Sequence, residues 1–142
     1  MIDFSNFSTE ELLKSGGFDC ECGVHHEAPI KFLKIGAGAV RSIPDALKAL
    51  GCKKPFIVCD LNTKDAAWHF VEPVLRENGI DYGFFCFNTH KRLEPNEEVI
   101  GAITFAFDKT CDVVMALGSG VLNDNCKIIA DIAGIPAMVV GT

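Results

Sequence analysis

The sequence predicts an α/β fold: a Rossmann-like, doubly wound parallel sheet of about five to six strands, flanked by helices. Two observations carry this. Five short runs, "IKFLKI", "PFIVCD", "YGFFCF", "DVVMAL" and "AMVV", are apolar almost throughout instead of alternating strictly, the pattern of strands covered on both faces. Between them, apolar residues recur at helical spacing, so strand and helix alternate at intervals of about 25 to 30 residues in a βαβ rhythm.

In chain order, residues 1–29 form an amino-terminal arm or hairpin and residues 30–142 the sheet domain. The first strand is expected at Ile30–Ile35. A helix follows on the stripe Ile43, Ala46, Leu47 and Leu50, begun near Pro44 and stopped by Gly51, because glycine tolerates the left-handed residue that ends many helices. After "PFIVCD" the stripe Ala66, Ala67, Phe70, Val71, Val74 and Leu75 runs to Gly79, with Pro73 inside it. A proline there predicts a kink or break near residues 69–73. "YGFFCF" precedes a helix begun near Pro95 and carried by Val99, Ile100, Ile103 and Phe107. "DVVMAL" precedes the stripe Leu122, Cys126, Ile129, Ala130 and Ala133, stopped by Gly134, and "AMVV" closes the pattern.

Composition narrows the partners. A chain of 142 residues, 49% hydrophobic and 23% charged, can close a core as one domain. Its formal charge of −6, with scattered basic residues, would repel a phosphate backbone and argues against nucleic acid. No apolar stretch approaches the roughly 20 residues of a membrane span, and "MIDFSNFSTEELLKSGG" lacks the character of a signal peptide. A soluble cytoplasmic protein acting on a small molecule is expected. Seven cysteines, several inside apolar runs (Cys59, Cys86, Cys126), suit buried reduced thiols better than a disulfide framework. "CECGVHH" is the exception: Cys20, Cys22, His25 and His26 could hold structural zinc, although Cys-x-Cys is tighter than the usual spacing. The alternative is a polar hairpin.

Two glycine loops compete for a phosphate. "IGAGAVR" sets Gly36 and Gly38 between strand and helix, but Arg41 stands where the dinucleotide fingerprint needs its third glycine, which favours a plain tight turn. About twenty residues beyond Gly38, Asp60 ends a strand where a carboxylate can bind ribose hydroxyls; it or its neighbours Asn62 and Thr63 could equally cap a helix. "LGSGVLNDNCK" is stronger. Gly118, Ser119 and Gly120 can turn backbone N–H groups toward a pyrophosphate at a helix amino end. Capping by Asn123 or Asp124 is the simpler explanation, yet it accounts less easily for Asp124 together with Lys127 at the carboxyl edge of a parallel sheet.

"CECGVHHEAPIKFLKIGAGAV", "FIVCDLNT" and "LGSGVLNDNCKIIADIAGIPAMVVGT" together resemble the amino-terminal half of the sn-glycerol-1-phosphate dehydrogenases. That group lies in the superfamily of iron-containing alcohol dehydrogenases, glycerol dehydrogenase and dehydroquinate synthase. The resemblance implies that Asp60, with Asn62 beside it, reads the adenine ribose of NAD or NADP. It implies that Gly118, Ser119 and Gly120 form the pyrophosphate loop, that Asp124, with Lys127, lies near substrate and nicotinamide, and that Thr142 opens the next cofactor-contacting loop. It further implies reduction of dihydroxyacetone phosphate to sn-glycerol-1-phosphate in phospholipid metabolism by a homo-oligomer. The divalent metal, zinc or similar, is held in such enzymes by an Asp and two His of a carboxyl-terminal helical domain. Nothing in these residues matches those ligands, so the chain alone is expected to lack dehydrogenase activity. Glycerol dehydrogenase or another alcohol dehydrogenase of the superfamily, and a stand-alone nucleotide-binding or regulatory module, are the rival expectations.

Overall fold

The computed structural model describes residues 8–14, 16–27, 29–118 and 120–142, with the side chains of Glu10, Leu12 and Lys14 excepted. The chain divides into two compact units, Met1–Leu33 and Lys34–Thr142. In the first, helix α1 (Thr9–Lys14) is begun by a capping box. Glu11 N donates to Ser8 Oγ at 3.2 Å, and Ser8 N donates to Glu11 Oε2 at 2.8 Å. Strands β1 (Phe18–Asp19) and β2 (His25–His26) pair antiparallel, Phe18 opposite His26 and Asp19 opposite His25.

The second unit runs through a 3-10 turn (Ala39–Ser42), α2 (Ile43–Leu50), β3 (Pro55–Asp60), α3 (Leu61–Glu77), β4 (Gly83–Phe87), α4 (Glu97–Ala106), β5 (Val113–Leu117), α5 (Val121–Ala133) and β6 (Ala137–Val140). The four strands pair parallel in the order β4-β3-β5-β6. Alternate strand residues enter two separate cores, which makes the sheet doubly wound. Phe56, Val58, Val114 and Ala116 pack with Val99 and Ile103 of α4 and with Leu122, Cys126 and Ile129 of α5. Ile57, Cys59, Val113, Met115 and Leu117 pack with Ile43 and Leu47 of α2 and with Val71, Val74 and Leu75 of α3. The continuous apolar runs of β3 and β5 are therefore buried at every position.

All three glycine stops hold. Gly51 and Gly134 end α2 and α5 at φ 72° and 67°, and Gly79 follows α3 at φ 63°. None of the cysteines is in a disulfide, and burial pushes Cys59 up and Cys126 up to about 12, as expected of inert buried cysteines.

One local expectation fails, and of a second only the helix break is contradicted. Ile30–Ile35 is not a strand, so the parallel sheet holds four strands among the described residues. Ile30, Leu33 and Ile35 are 49%, 42% and 75% exposed. The run is apolar, but among the described residues no neighbour pairs with its backbone as a strand, and an extended segment gains strand stability only through such pairing. Nor does α3 break at Pro73, which lies inside one helix from Leu61 to Glu77. The carbonyl that loses its donor is that of His69, an exposed residue, where water can replace the missing N–H.

The amino edge of the sheet is tied by charge. Asp112 accepts hydrogen bonds from the amides of Lys53 and Lys54, while Lys54 Nζ lies 2.9 Å from Asp108 Oδ2. The Lys54 ammonium, with the hydroxyl and amide of Thr110, holds the Asp108 carboxyl well below the usual carboxylate range. A carboxyl depressed by folding stabilises above its unfolded pKa of about 3.9 and loses that stabilisation as pH falls further. Wild type is therefore expected to melt above Asp108→Asn at pH 7, with the gap closing as buffer pH falls from about 4 toward 2. A gap that persists unchanged at low pH would show that the carboxylate charge is not the stabilising element.

Candidate cofactor site

Strand order puts β3 and β5 side by side at the centre of the sheet, with the connections after them leaving to opposite faces: α3 packs on one core and α5 on the other. At such a switch point the two loops part and leave a crevice at the carboxyl ends of the strands. Asp60 is the last residue of β3, and Gly118 directly follows β5.

The two loops touch. A Cβ placed on Gly118 would stand 2.8 Å from Leu122 Cδ1 and 2.9 Å from Thr63 Cγ2, so only the absence of a side chain lets the turn pass this close to the first turn of α3. Gly118 also has φ 141°, and Gly120 has φ 51° with ψ −120°. One expectation is corrected. The Gly118 N–H is not free for a ligand, because it donates to Val140 O at 2.9 Å and extends the β5–β6 ladder. The role of Gly118 is steric, and the available donors lie further on.

Those donors are in α5. Its N-cap is Gly120, which carries no side chain to cap with, and neither Asn123 nor Asp124 supplies one. Asp124 N donates to Gly120 O at 3.0 Å, while its carboxylate pairs with Lys127 Nζ at 3.6 Å on the exposed side. Capping by Asn123 or Asp124, the simpler explanation of this stretch, is thus not what the fold uses. Among the described residues the amides of Val121, Leu122 and Asn123 have no protein acceptor, and they form the positive end of a 13-residue helix. Ser119 lies outside the described residues. Val140 pairs with Leu117, so Gly141 and Thr142 continue from the strand end beside this turn.

The amino end of α3 is closed by contrast. Thr63 N donates to Asp60 Oδ1 at 2.8 Å, Asp60 N donates to Thr63 Oγ1 at 3.1 Å, and Leu61 N donates to Thr89 O at 3.3 Å. Asp60 therefore does cap its helix, through one oxygen. Its Oδ2 accepts no hydrogen bond among the described residues, and the residue is 8% exposed. A carboxylate oxygen with no partner among the described residues at this edge is suited to a hydroxyl donor. Asn62 is occupied otherwise: its Nδ2 donates to His90 O at 3.0 Å and its Oδ1 lies 3.1 Å from His90 Nδ1. It braces the loop after β4.

Asn125 was not singled out by the sequence. It is 1% exposed on the first turns of α5, its Nδ2 donates to Val121 O at 2.7 Å, and its Oδ1 is buried without a partner. The only signal was one more polar residue in "NDN", which spacing alone could not mark as buried. The other glycine loop behaves as a tight turn. Ala39 N bonds to Gly36 O and Arg41 N to Gly38 O, closing the turn on itself. A groove beside it, lined by Arg41, His69, Phe70 and Pro73, contains none of the crevice residues.

In the first unit, three of the four proposed zinc ligands converge. One ligand atom each from Cys20, Cys22 and His26 lies within 4.8 Å of the others. His25 is excluded, since Nδ1 contacts Asp19 Oδ1 at 2.8 Å and Nε2 contacts Gly16 O at 2.9 Å. Both partners are acceptors and favour the protonated ring, so Asp19 with the Gly16 carbonyl raises the His25 pKa.

The chain is similar to known proteins over most of its length. Residues 34–142 match the family model of iron-containing alcohol dehydrogenases. A glycerol-1-phosphate dehydrogenase (NAD(P)+) of Halalkalibacterium halodurans is 28% identical over 127 residues, 87% of this chain and 32% of that protein. One of the same name from Bacillus licheniformis is 27% identical over 126 residues, 87% of this chain and 31% of that protein. The chain thus spans about a third of the length of these curated relatives. Among solved structures, glycerol dehydrogenase of Schizosaccharomyces pombe superposes with a TM-score of 0.61 at 18% identity, over 71% of this chain and 25% of that one. An NADH-dependent butanol dehydrogenase of Thermotoga maritima gives 0.50 at 16% identity, over 71% of this chain and 27% of that one.

Proposed function

Because the chain belongs to the iron-containing alcohol dehydrogenase family, we propose that it is the cofactor-binding half of an NAD(P)-dependent sn-glycerol-1-phosphate dehydrogenase. The observation that carries the proposal is the amino end of α5, which has no side-chain cap and whose first amides have no acceptor among the described residues, at the sheet's switch point. The residues fit a dinucleotide. The amides of Val121, Leu122 and Asn123 can donate to diphosphate oxygens, Gly120 leaves the approach clear of a Cβ, and Asp60 Oδ2 can accept from a ribose hydroxyl. Asp124 and Lys127, exposed one turn into α5, would then lie toward substrate and nicotinamide. When bound, the cofactor supplies the hydride.

The choice of glycerol-1-phosphate rests on the names of the relatives, as does use of either NAD or NADP; dihydroxyacetone phosphate as its oxidised partner is implied by the family resemblance. The residues do not fit the catalytic metal that the family's name implies. Among those described, the one cluster able to hold an ion is Cys20, Cys22 and His26, with no Asp and paired His together, and no catalytic step is assigned to a metal here. The proposal carries with it a cytoplasmic, homo-oligomeric enzyme of phospholipid metabolism. No helix among the described residues is long and apolar enough to cross a membrane.

Calorimetric titration of the chain with NADH tests the proposal. NADH is expected to bind at one site and to be displaced by ADP-ribose, which carries the diphosphate and adenine ribose but no nicotinamide. Absence of binding, or NADH binding indifferent to ADP-ribose, would contradict it.

A further inference from the structure

We propose that the hairpin of the first unit is a metal site, in which Cys20 Sγ, Cys22 Sγ and His26 Nε2 bind one zinc ion and leave its fourth position open to solvent. The site is independent of the cofactor crevice and uses none of its residues.

The hairpin builds the cluster from its own geometry. After β1, Cys20 N donates to Val24 O at 3.1 Å and Gly23 N donates to Cys20 O at 2.9 Å, with Gly23 at φ 81°. This turn folds Cys22 back over the start of β2. Cys22 Sγ lies 3.2 Å from His26 Nε2, and Cys22 N points at Cys20 Sγ at 3.5 Å. Bond lengths of about 2.3 Å for zinc–sulfur and about 2.1 Å for zinc–nitrogen give tetrahedral edges of roughly 3.5–3.8 Å. Three ligand atoms already within 4.8 Å of one another need only small rotamer adjustments to close on such an ion.

The neighbours separate ligands from supports. Register pairs Phe18 with His26 and Asp19 with His25, so the two histidines point to opposite faces of the hairpin. On one face the His26 ring lies on Phe18 with centroids 5.5 Å apart, which orients its Nε2. On the other, Asp19 and Gly16 O engage both nitrogens of His25, which ties the hairpin together and leaves His26 as the imidazole ligand. Two thiolates and one imidazole select a borderline-soft cation over magnesium or calcium. Cys20 is half-buried, while Cys22 and His26 are exposed, so three protein ligands and an open fourth position describe the site.

The chain is reduced, freed of metal and titrated with zinc against a chromophoric chelator, and separately with cobalt. One equivalent of zinc is expected, with a cobalt spectrum showing a thiolate-to-metal charge-transfer band. Cys20→Ser, Cys22→Ser and His26→Ala should each weaken zinc at least about a hundredfold, more than loss of a supporting residue does. Cys52→Ser and His90→Ala should leave the affinity unchanged. Less than one equivalent, a cobalt spectrum without the thiolate band, or zinc retained undiminished in the three variants would overturn the proposal. The cobalt band is read on the wild-type chain and so decides the matter even if a variant misfolds.

Discussion

Replacing Gly118 by valine is expected to remove NADH binding, weakening it by more than tenfold, and to destabilise the fold by about 1–3 kcal/mol. The added Cβ would meet Leu122 Cδ1 and Thr63 Cγ2 inside van der Waals contact, in a backbone conformation of φ 141° that side chains rarely adopt. Neither neighbour yields freely. Leu122 is 3% exposed in one core, and Thr63 is held in the capping box with Asp60. The turn must therefore lift, which moves the uncapped amides of α5 away from Asp60. Gly38→Ala is the comparison: Gly38 also has positive φ, at 77°, but faces open space. It should lose about 1 kcal/mol from backbone strain and keep its affinity for NADH. Thermal melts with NADH titrations on both variants distinguish the loops. Loss of binding in Gly38→Ala with retention in Gly118→Val would move the phosphate site to the first loop.

At Asp60 the expected result is a separation of two roles that the sequence could not tell apart. Asparagine caps a helix about as well as aspartate, whereas alanine in place of either costs about 0.5–2 kcal/mol. Asp60→Asn should therefore keep the bond from Thr63 N and nearly all stability. It should still raise the affinity for NADPH relative to NADH, because the carboxylate no longer meets the 2′-phosphate with like charge. Asp60→Ala should shift the same ratio and lower the melting temperature as well. If the NADPH to NADH ratio stays at the wild-type value in Asp60→Asn, the residue is a cap and nothing more.

What the sequence made legible was the environment of side chains. Continuous apolar runs identified β3 and β5 as covered on both faces, helical stripes identified α2 to α5, and Gly51, Gly79 and Gly134 marked the ends of α2, α3 and α5. Less legible was which backbone group each residue engages. That Gly118 N–H belongs to the ladder with Val140 depends on register between segments more than twenty residues apart, and no local pattern carries it. That Asp60 caps α3 while Asn123 and Asp124 leave α5 uncapped depends on the angle at which each strand enters its helix. His25 and His26 are adjacent and chemically alike. Only the pairing of Asp19 with His25 makes one a brace and the other a candidate ligand. "IKFLKI" has strand composition but no paired neighbour, and pairing is a property of the fold, not of the segment.

In the proposed function the first amides of α5 receive the diphosphate of the cofactor. The most direct test is two-dimensional amide NMR of the nitrogen-15-labelled chain titrated with NADH. The largest shifts are expected on Gly120, Val121, Leu122 and Asn123, with Asp60 and Thr63 following and Gly36 to Arg41 little changed. Shifts concentrated at Gly36 to Arg41, with the amides of α5 unmoved at saturation, would contradict it.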